Sequence, residues 1–131
     1  MFVDASAWTA VSLNEPERDR LVAALVAADT ILTSSIANWE TVRALVRETE
    51  DGVSEASARL FSFQASLNVR VVEVGAAEGL LALEAHARFG KGVHPARLNM
   101  GDCFAYACAK ANGVPLLYKG GDFSLTDIEA A

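Results

Sequence analysis

The sequence predicts an α/β domain built on a parallel sheet that helices cover on both faces, and two observations carry the prediction. First, short apolar runs (Phe2-Val3, Thr30 to Thr33, Val69 to Val74 and Val114 to Tyr118) alternate with longer stretches whose apolar residues recur at helical spacing. Second, strands joined through helices run parallel, and right-handed crossovers put all their C-terminal ends on one edge of the sheet. Residues 1–131, with 52% hydrophobic, suffice for one core and not for two, so the chain is expected to be a single domain.

The elements follow in order. Phe2-Val3 opens a strand that stops at Asp4, and Asn14 to Ala28 reads as a helix. Asn14 caps it, Pro16 suits its first turn, and Leu21, Leu25 and Ala28 share a face. After the run Thr30 to Thr33, Ser34 or Ser35 caps a helix through about Glu48, with Trp39, Val42 and Val46 as its buried stripe. Asp51-Gly52 breaks the chain, and Ser54 starts a helix to about Leu67. Val69 to Val74 has the β-branched content of a third strand, and Gly75 to Phe89 is again helical. Gly90-Lys91-Gly92 and Pro95 make a loop before a helix that begins near Asn99 to Asp102 and ends at Asn112-Gly113. Val114 to Tyr118 is the fourth strand, and Lys119-Gly120-Gly121-Asp122 follows it.

A formal net charge of -6 argues against a surface that is basic all over, as a purely electrostatic nucleic-acid binder would need. It does not argue against chemistry that gathers carboxylates around a cation, because a bound divalent ion reverses the local potential. Cys103 and Cys108 lie five apart in one helical stretch and point in different directions, so they are expected to be reduced, small packing residues. Met1-Phe2-Val3-Asp4 lacks a basic, apolar leader, and the longest apolar run, Leu21 to Ala28, is far short of a membrane span. A soluble, cytoplasmic protein is the expectation.

Four of the acids stand where a carboxylate is awkward. Asp4 follows the first buried strand, and Asp122 follows the last across a Gly-Gly turn. Asp102 lies in the first turn of an apolar helix, and Glu40 sits just inside the helix after the second strand, amid Ile36, Trp39 and Val42. In a parallel sheet Asp4 and Asp122 share one edge, and the helix starts carrying Glu40 and Asp102 face it. Each has a plainer reading: Asp102 as a helix cap, Asp122 as a turn residue, Glu40 as a solvated helix acid, Asp4 as a strand-end residue. Brought together, four carboxylates repel one another unless cations lie between them. Oxygen-only ligation favours Mg²⁺ or Mn²⁺ over zinc, and such a site activates water and stabilises charge on a phosphate.

These residues resemble a known family. Val3-Asp4-Ala5-Ser6-Ala7 with Asn14-Glu15-Pro16-Glu17, then Ser35-Ile36-Ala37-Asn38-Trp39-Glu40, is similar to the opening of the PIN-domain ribonucleases, and within them the VapC-like toxins of type II toxin-antitoxin pairs. The most specific match is His94-Pro95-Ala96-Arg97-Leu98-Asn99-Met100-Gly101-Asp102-Cys103-Phe104-Ala105-Tyr106-Ala107, continuing into Gly113 to Gly120 and Asp122-Phe123. The resemblance runs through the whole chain in order. It implies a three-layer α/β/α sandwich, PIN-like, and an endoribonuclease dependent on Mg²⁺, with Mn²⁺ as the alternative ion. Carried over, Asp4, Glu40, Asp102 and Asp122 match the catalytic, metal-binding acids, and Ser6 matches a hydroxyl residue that arranges the first of them. An RNA substrate, a cognate antitoxin and a homodimer are implied as partners, and products with a 5′-phosphate and a 3′-hydroxyl are expected. The chain departs from many relatives at Gly121, where a polar or acidic residue precedes the last acid. Asp127, behind it, is expected to be structural.

RNA needs cations to hold it, and Arg43, Arg97 and Lys119, with Arg47 and Lys110, are the nearest in sequence to the acids. His86 is expected to be exposed and His94 to shape its loop. Two other readings exist. A haloacid-dehalogenase-like phosphatase needs a second Asp two residues after the first, where Ser6 stands instead. A non-catalytic partner-binding domain would use the acids only as caps, and Leu21, Leu25, Trp39, Phe61 and Phe63 offer apolar surface that a partner could share with the core.

Overall fold

The computed structural model describes residues 1–131. Four parallel strands, β1 (Phe2–Val3), β2 (Leu32–Ser34), β3 (Arg70–Val72) and β4 (Leu116–Leu117), form one sheet in the order β3-β2-β1-β4. Between and after them lie α1 (Ala5–Ser12), α2 (Arg18–Ala27), α3 (Ser35–Glu48), α4 (Val53–Ser66), α5 (Ala76–Phe89) and α6 (Met100–Ala111). The three-layer parallel sandwich expected from the alternating pattern is the observed architecture.

The two-residue period of a strand decides which layer each side chain supports. Phe2, Leu32 and Leu116 point into a core shared with α5 and α6, whereas their neighbours Val3 and Leu117 point into a second core with α1 to α4. In the second core Trp8 is fully buried, packs edge-to-face on Phe63 at 6.0 Å, and donates its indole N–H to Thr33 Oγ1 at 3.1 Å. Thr33 passes the tie on to the Val3 carbonyl at 3.2 Å, so α1 is bolted to both central strands. The last residues extend the sheet past β4, where the Leu116 N–H donates to the Glu129 carbonyl at 2.8 Å and the Ala131 N–H to the Leu116 carbonyl at 3.0 Å.

Two expectations need correction. The helix expected from Asn14 to Ala28 is shorter, Arg18–Ala27, and a further helix that was not expected precedes it. Residues 5–12 already form α1, Asn14 sits beyond its end at φ 56° rather than capping the next helix, and α2 starts at Arg18. Asn tolerates the left-handed region better than most residues, which suits it to a helix exit. Helix α1 escaped notice because Ala5, Ala7, Trp8, Ala10 and Val11 are buried on nearly every side, leaving little polar contrast to reveal a period.

Trp39 is 60% exposed and does not belong to the buried stripe of α3. That stripe is Ala37, Asn38, Thr41, Val42 and Leu45, with Asn38 accepting a hydrogen bond from buried Gln64 of α4 at 2.7 Å. A buried polar side chain with a partner therefore took the face that apolar periodicity assigned to Trp39. Of the apolar residues expected to exceed the core, Leu21 and Leu25 are buried and Phe61 is half exposed. The cysteines are buried and unpaired, with burial pushing both thiols up to about 11. No helix is long and apolar enough to cross a membrane.

Candidate active site

The site forms where the C-terminal ends of the central strands meet the starts of α1 and α6. Asp4 leaves β1, caps α1 and is 3% exposed. Its Oδ2 accepts the Ser6 N–H at 2.9 Å and the Ser6 hydroxyl at 2.5 Å. Ser6 Oγ in turn accepts the Lys119 N–H at 3.0 Å. The chain leaving β4 thus orients the hydroxyl that orients the acid. Burial pushes the Asp4 carboxyl above the usual carboxylate range, against the hydrogen bonds from Ser6 and the Ala5 N–H, which favour the charged form.

Asp102 enters from the first turn of α6. There Asn99 Oδ1 accepts the Asp102 N–H at 3.1 Å and Asp102 Oδ2 accepts the Asn99 N–H at 2.7 Å, a reciprocal box. The capping reading is therefore correct as far as it goes, but it occupies one oxygen of the carboxylate. Burial, with the charges of Asp4 and Asp122 behind it, pushes Asp102 up to about 6 despite the hydrogen bond from Asn99. Glu40 reaches the same place from α3. Burial first, then the charges of Asp4 and Asp102, push it up to about 7, with Arg43 pulling the other way.

Asp4, Ser6, Glu40 and Asp102 line one cleft of about 380 Å³ together with Glu15 and Lys119. Asp122 stands at its margin, exposed in the turn before the 3-10 turn Phe123–Leu125, and reaches the site through its charge on Asp102. Glu15 is the residue that sequence reasoning passed over. It pairs with the Lys119 ammonium across 104 positions of sequence, and no local pattern announces such a pair. Of the basic candidates, Lys119 and Arg47 line the cleft, and Arg43 lies beside it, 5.4 Å over the exposed Trp39 ring. Arg97 does not come to the acids. It sits at φ 53° in the loop before α6, on a separate pocket with Lys91, His94 and Pro95. Lys110 is spent on Asp127, which also accepts hydrogen bonds from Tyr106 at 2.7 Å and Arg88 at 2.9 Å. Asp127 thereby ties α5 and α6 to the C-terminal segment. His94 Nδ1 accepts the Ala96 N–H at 3.2 Å and its ring abuts Phe89, as a loop-shaping residue does.

Whether this donor set suits a cation is decided by its electrostatics. As their side chains are placed, no three of the chain's acids, histidines or cysteines stand close enough together to hold a metal ion. Asp4, Glu40, Asp102 and Asp122 nevertheless take no part in any ion pair of the chain, whereas Glu15, Glu84, Asp51 and Asp127 each have a basic partner. Carboxylates crowded together without an ion-pair partner, with Asp4 and Asp102 raising Glu40 against Arg43 and Asp4 and Asp122 raising Asp102, are what a hard divalent cation relieves. The set fits such an ion.

A parallel α/β/α sandwich with an acid cleft at the strand ends defines a class of α/β proteins with a carboxylate-lined site. The match to the family model described as "PIN domain" covers residues 1–129, and the chain belongs to that family. It is 40% identical to a VapC ribonuclease of Rhizobium meliloti (strain 1021), over 97% of this chain and 98% of the relative. It is 42% identical to a ribonuclease VapC of Mycolicibacterium smegmatis, over 99% and 98%. The crystal structure of Mycobacterium tuberculosis VapC20, described as a sarcin-ricin loop cleaving toxin, shares the fold at TM-score 0.79 and 23% identity, covering 99% of this chain and 97% of that one. The phosphatase reading falls with this assignment, and Ser6 has a geometric role of its own as the clamp on Asp4.

Proposed function

We propose that this protein is the toxin of a type II toxin-antitoxin pair, an endoribonuclease that hydrolyses RNA phosphodiester bonds with Mg²⁺, or Mn²⁺, held by Asp4, Glu40, Asp102 and Asp122. The observation that carries the reading is the meeting of Asp4, Glu40 and Asp102 in one cleft, none of them held in an ion pair. Full-length similarity to ribonucleases supports it. When bound, the cation supplies Lewis-acid activation of water and neutralises charge on the phosphate, which yields a 5′-phosphate and a 3′-hydroxyl. Ser6 holds the Asp4 carboxylate in one orientation, and the Asn99 box holds Asp102. Arg43 beside the cleft offers positive charge to the flanking phosphates, and Lys119 and Arg47 line the cleft in pairs with Glu15 and Glu48 for which a phosphate would compete. Arg97, on the neighbouring loop pocket, is placed to meet RNA only beyond the cleft.

The partners that go with this reading are an antitoxin and a second copy of the chain, in the cytoplasm. Exposed Leu83 of α5 and Met100 of α6 support a protein partner, since the groove they line between those helices is apolar and open at about 250 Å³. The test is incubation of total RNA with antitoxin-free protein in Mg²⁺, in Mn²⁺ and in EDTA. Discrete, metal-dependent cuts with 5′-phosphate ends are the expected result. Folded protein that cuts nothing and binds neither ion would leave the acids as caps and favour the partner-binding reading.

The site also predicts how stability depends on pH in metal-free protein. Glu40 titrates at about 7 rather than 4.5, and Asp102 at about 6 rather than 3.8, so between those limits the folded chain holds more protons than the unfolded one. Stability contributed by these groups is therefore lost as pH rises through that window. Thermal melts in EDTA are expected to show the midpoint falling from pH 5 to pH 7.5, and added Mg²⁺ or Mn²⁺ to recover it most at the upper end. A midpoint that rises with pH in EDTA and ignores the cations would contradict the electrostatics described.

A further inference from the structure

Gly101 is the second residue of α6, buried where that helix passes α3. Glycine in a helix weakens it relative to alanine, so its presence there calls for a local reason. Backbone conformation is not the reason, because Gly101 is not among the residues of positive φ. The reason is what occupies the missing side chain's place. A Cβ built on Gly101 would overlap both oxygens and the carboxyl carbon of Glu40, and the next atoms it would meet lie no nearer than these. Gly79, the helical glycine of α5, gives the contrast, since a Cβ there would meet nothing within 4 Å.

We propose that Gly101 is a positioning residue whose absent side chain forms the seat of the Glu40 carboxylate. Any larger residue at 101 displaces that carboxylate from the cleft it shares with Asp4 and Asp102. The overlap is with the far end of a flexible side chain rather than with backbone, so Glu40 swings away at little cost to the fold. The consequence is unusual for a buried glycine: substitution damages the site and spares stability. The functional half of the inference rests on the nuclease reading above, and the geometric half does not.

The experiment compares Gly101→Ala, Glu40→Ala, the double variant and Gly79→Ala in the full chain. Its readouts are thermal melting, the ¹³Cδ resonance of Glu40, Mn²⁺ binding and RNA cleavage. Gly101→Ala and Gly79→Ala are both expected to melt no lower than the wild type, and Gly101→Ala alone to shift the Glu40 resonance. Gly101→Ala is also expected to weaken Mn²⁺ binding and cleavage by about tenfold or more, the usual effect of disturbing a ligand's support. In the Glu40→Ala background Gly101→Ala is expected to change neither, because its target is gone. An unmoved Glu40 resonance, or a tenfold loss that persists undiminished in the Glu40→Ala background, would overturn the proposal. A shifted resonance beside a Glu40→Ala variant as active as the wild type would uphold the seat and sink the nuclease role of Glu40 instead.

Discussion

Asp4→Asn is expected to lower RNA cleavage by about a thousandfold while leaving the protein folded. That size follows from the several kcal/mol of transition-state stabilisation a bound cation supplies, at tenfold in rate per roughly 1.36 kcal/mol. Asp4 is the most buried of the acids and the one whose charge acts on Glu40 and Asp102. The asparagine oxygen still accepts the Ser6 N–H, so the cap of α1 survives. Burial already raises the Asp4 carboxyl pKa, so the folded state disfavours its charge and a neutral side chain of the same shape does not lower stability near neutral pH. Single-turnover cleavage of a defined RNA, beside a thermal melt, separates the two effects. An Asp4→Asn protein that melts like the wild type and cuts like it would remove Asp4 from the site.

The largest loss of stability is expected from Trp8→Ala, at about 3 to 5 kcal/mol, the range for emptying a buried aromatic site. Trp8 is wholly buried, makes the edge-to-face contact with Phe63, and carries the bond to Thr33 that joins α1 to β2. Deleting it leaves a cavity between α1 and α4 and removes the indole donor from the buried Thr33 hydroxyl. Against a total stability of about 5 to 15 kcal/mol, that is a substantial fraction. Equilibrium unfolding in urea measures it. A difference below about 1 kcal/mol would mean that α1 is not anchored as described.

What could be read from the sequence, and what could not, follows from the range of the interactions concerned. Asp4, Asp102 and Glu40 were legible because strand ends and helix starts are local features, and a parallel sheet carries them to one edge. The Ser34 cap of α3 and the β-branched run of β3 are local too. Helix α1 was not, because a helix buried on most sides shows no polar face. The exposure of Trp39 was hidden behind the Asn38–Gln64 pair, which joins residues 26 apart. Glu15 needed its partner Lys119, 104 residues away, before it had any role. Arg97 is close to Asp102 only along the chain; the left-handed turn at φ 53° sends it to a different pocket. Proximity in sequence ranked the basic residues poorly for that reason, whereas the acids were ranked by the ends of regular elements.

Mn²⁺ binding followed by electron paramagnetic resonance asks whether the acid cleft takes up a divalent cation. Wild-type protein at neutral pH is expected to take up Mn²⁺ and Mg²⁺ to compete for the same place. Asp4→Asn and Asp102→Asn, each shown to be folded, are expected to lose that binding. Uptake that is unchanged in both variants, or absent from the folded wild type, would contradict the account.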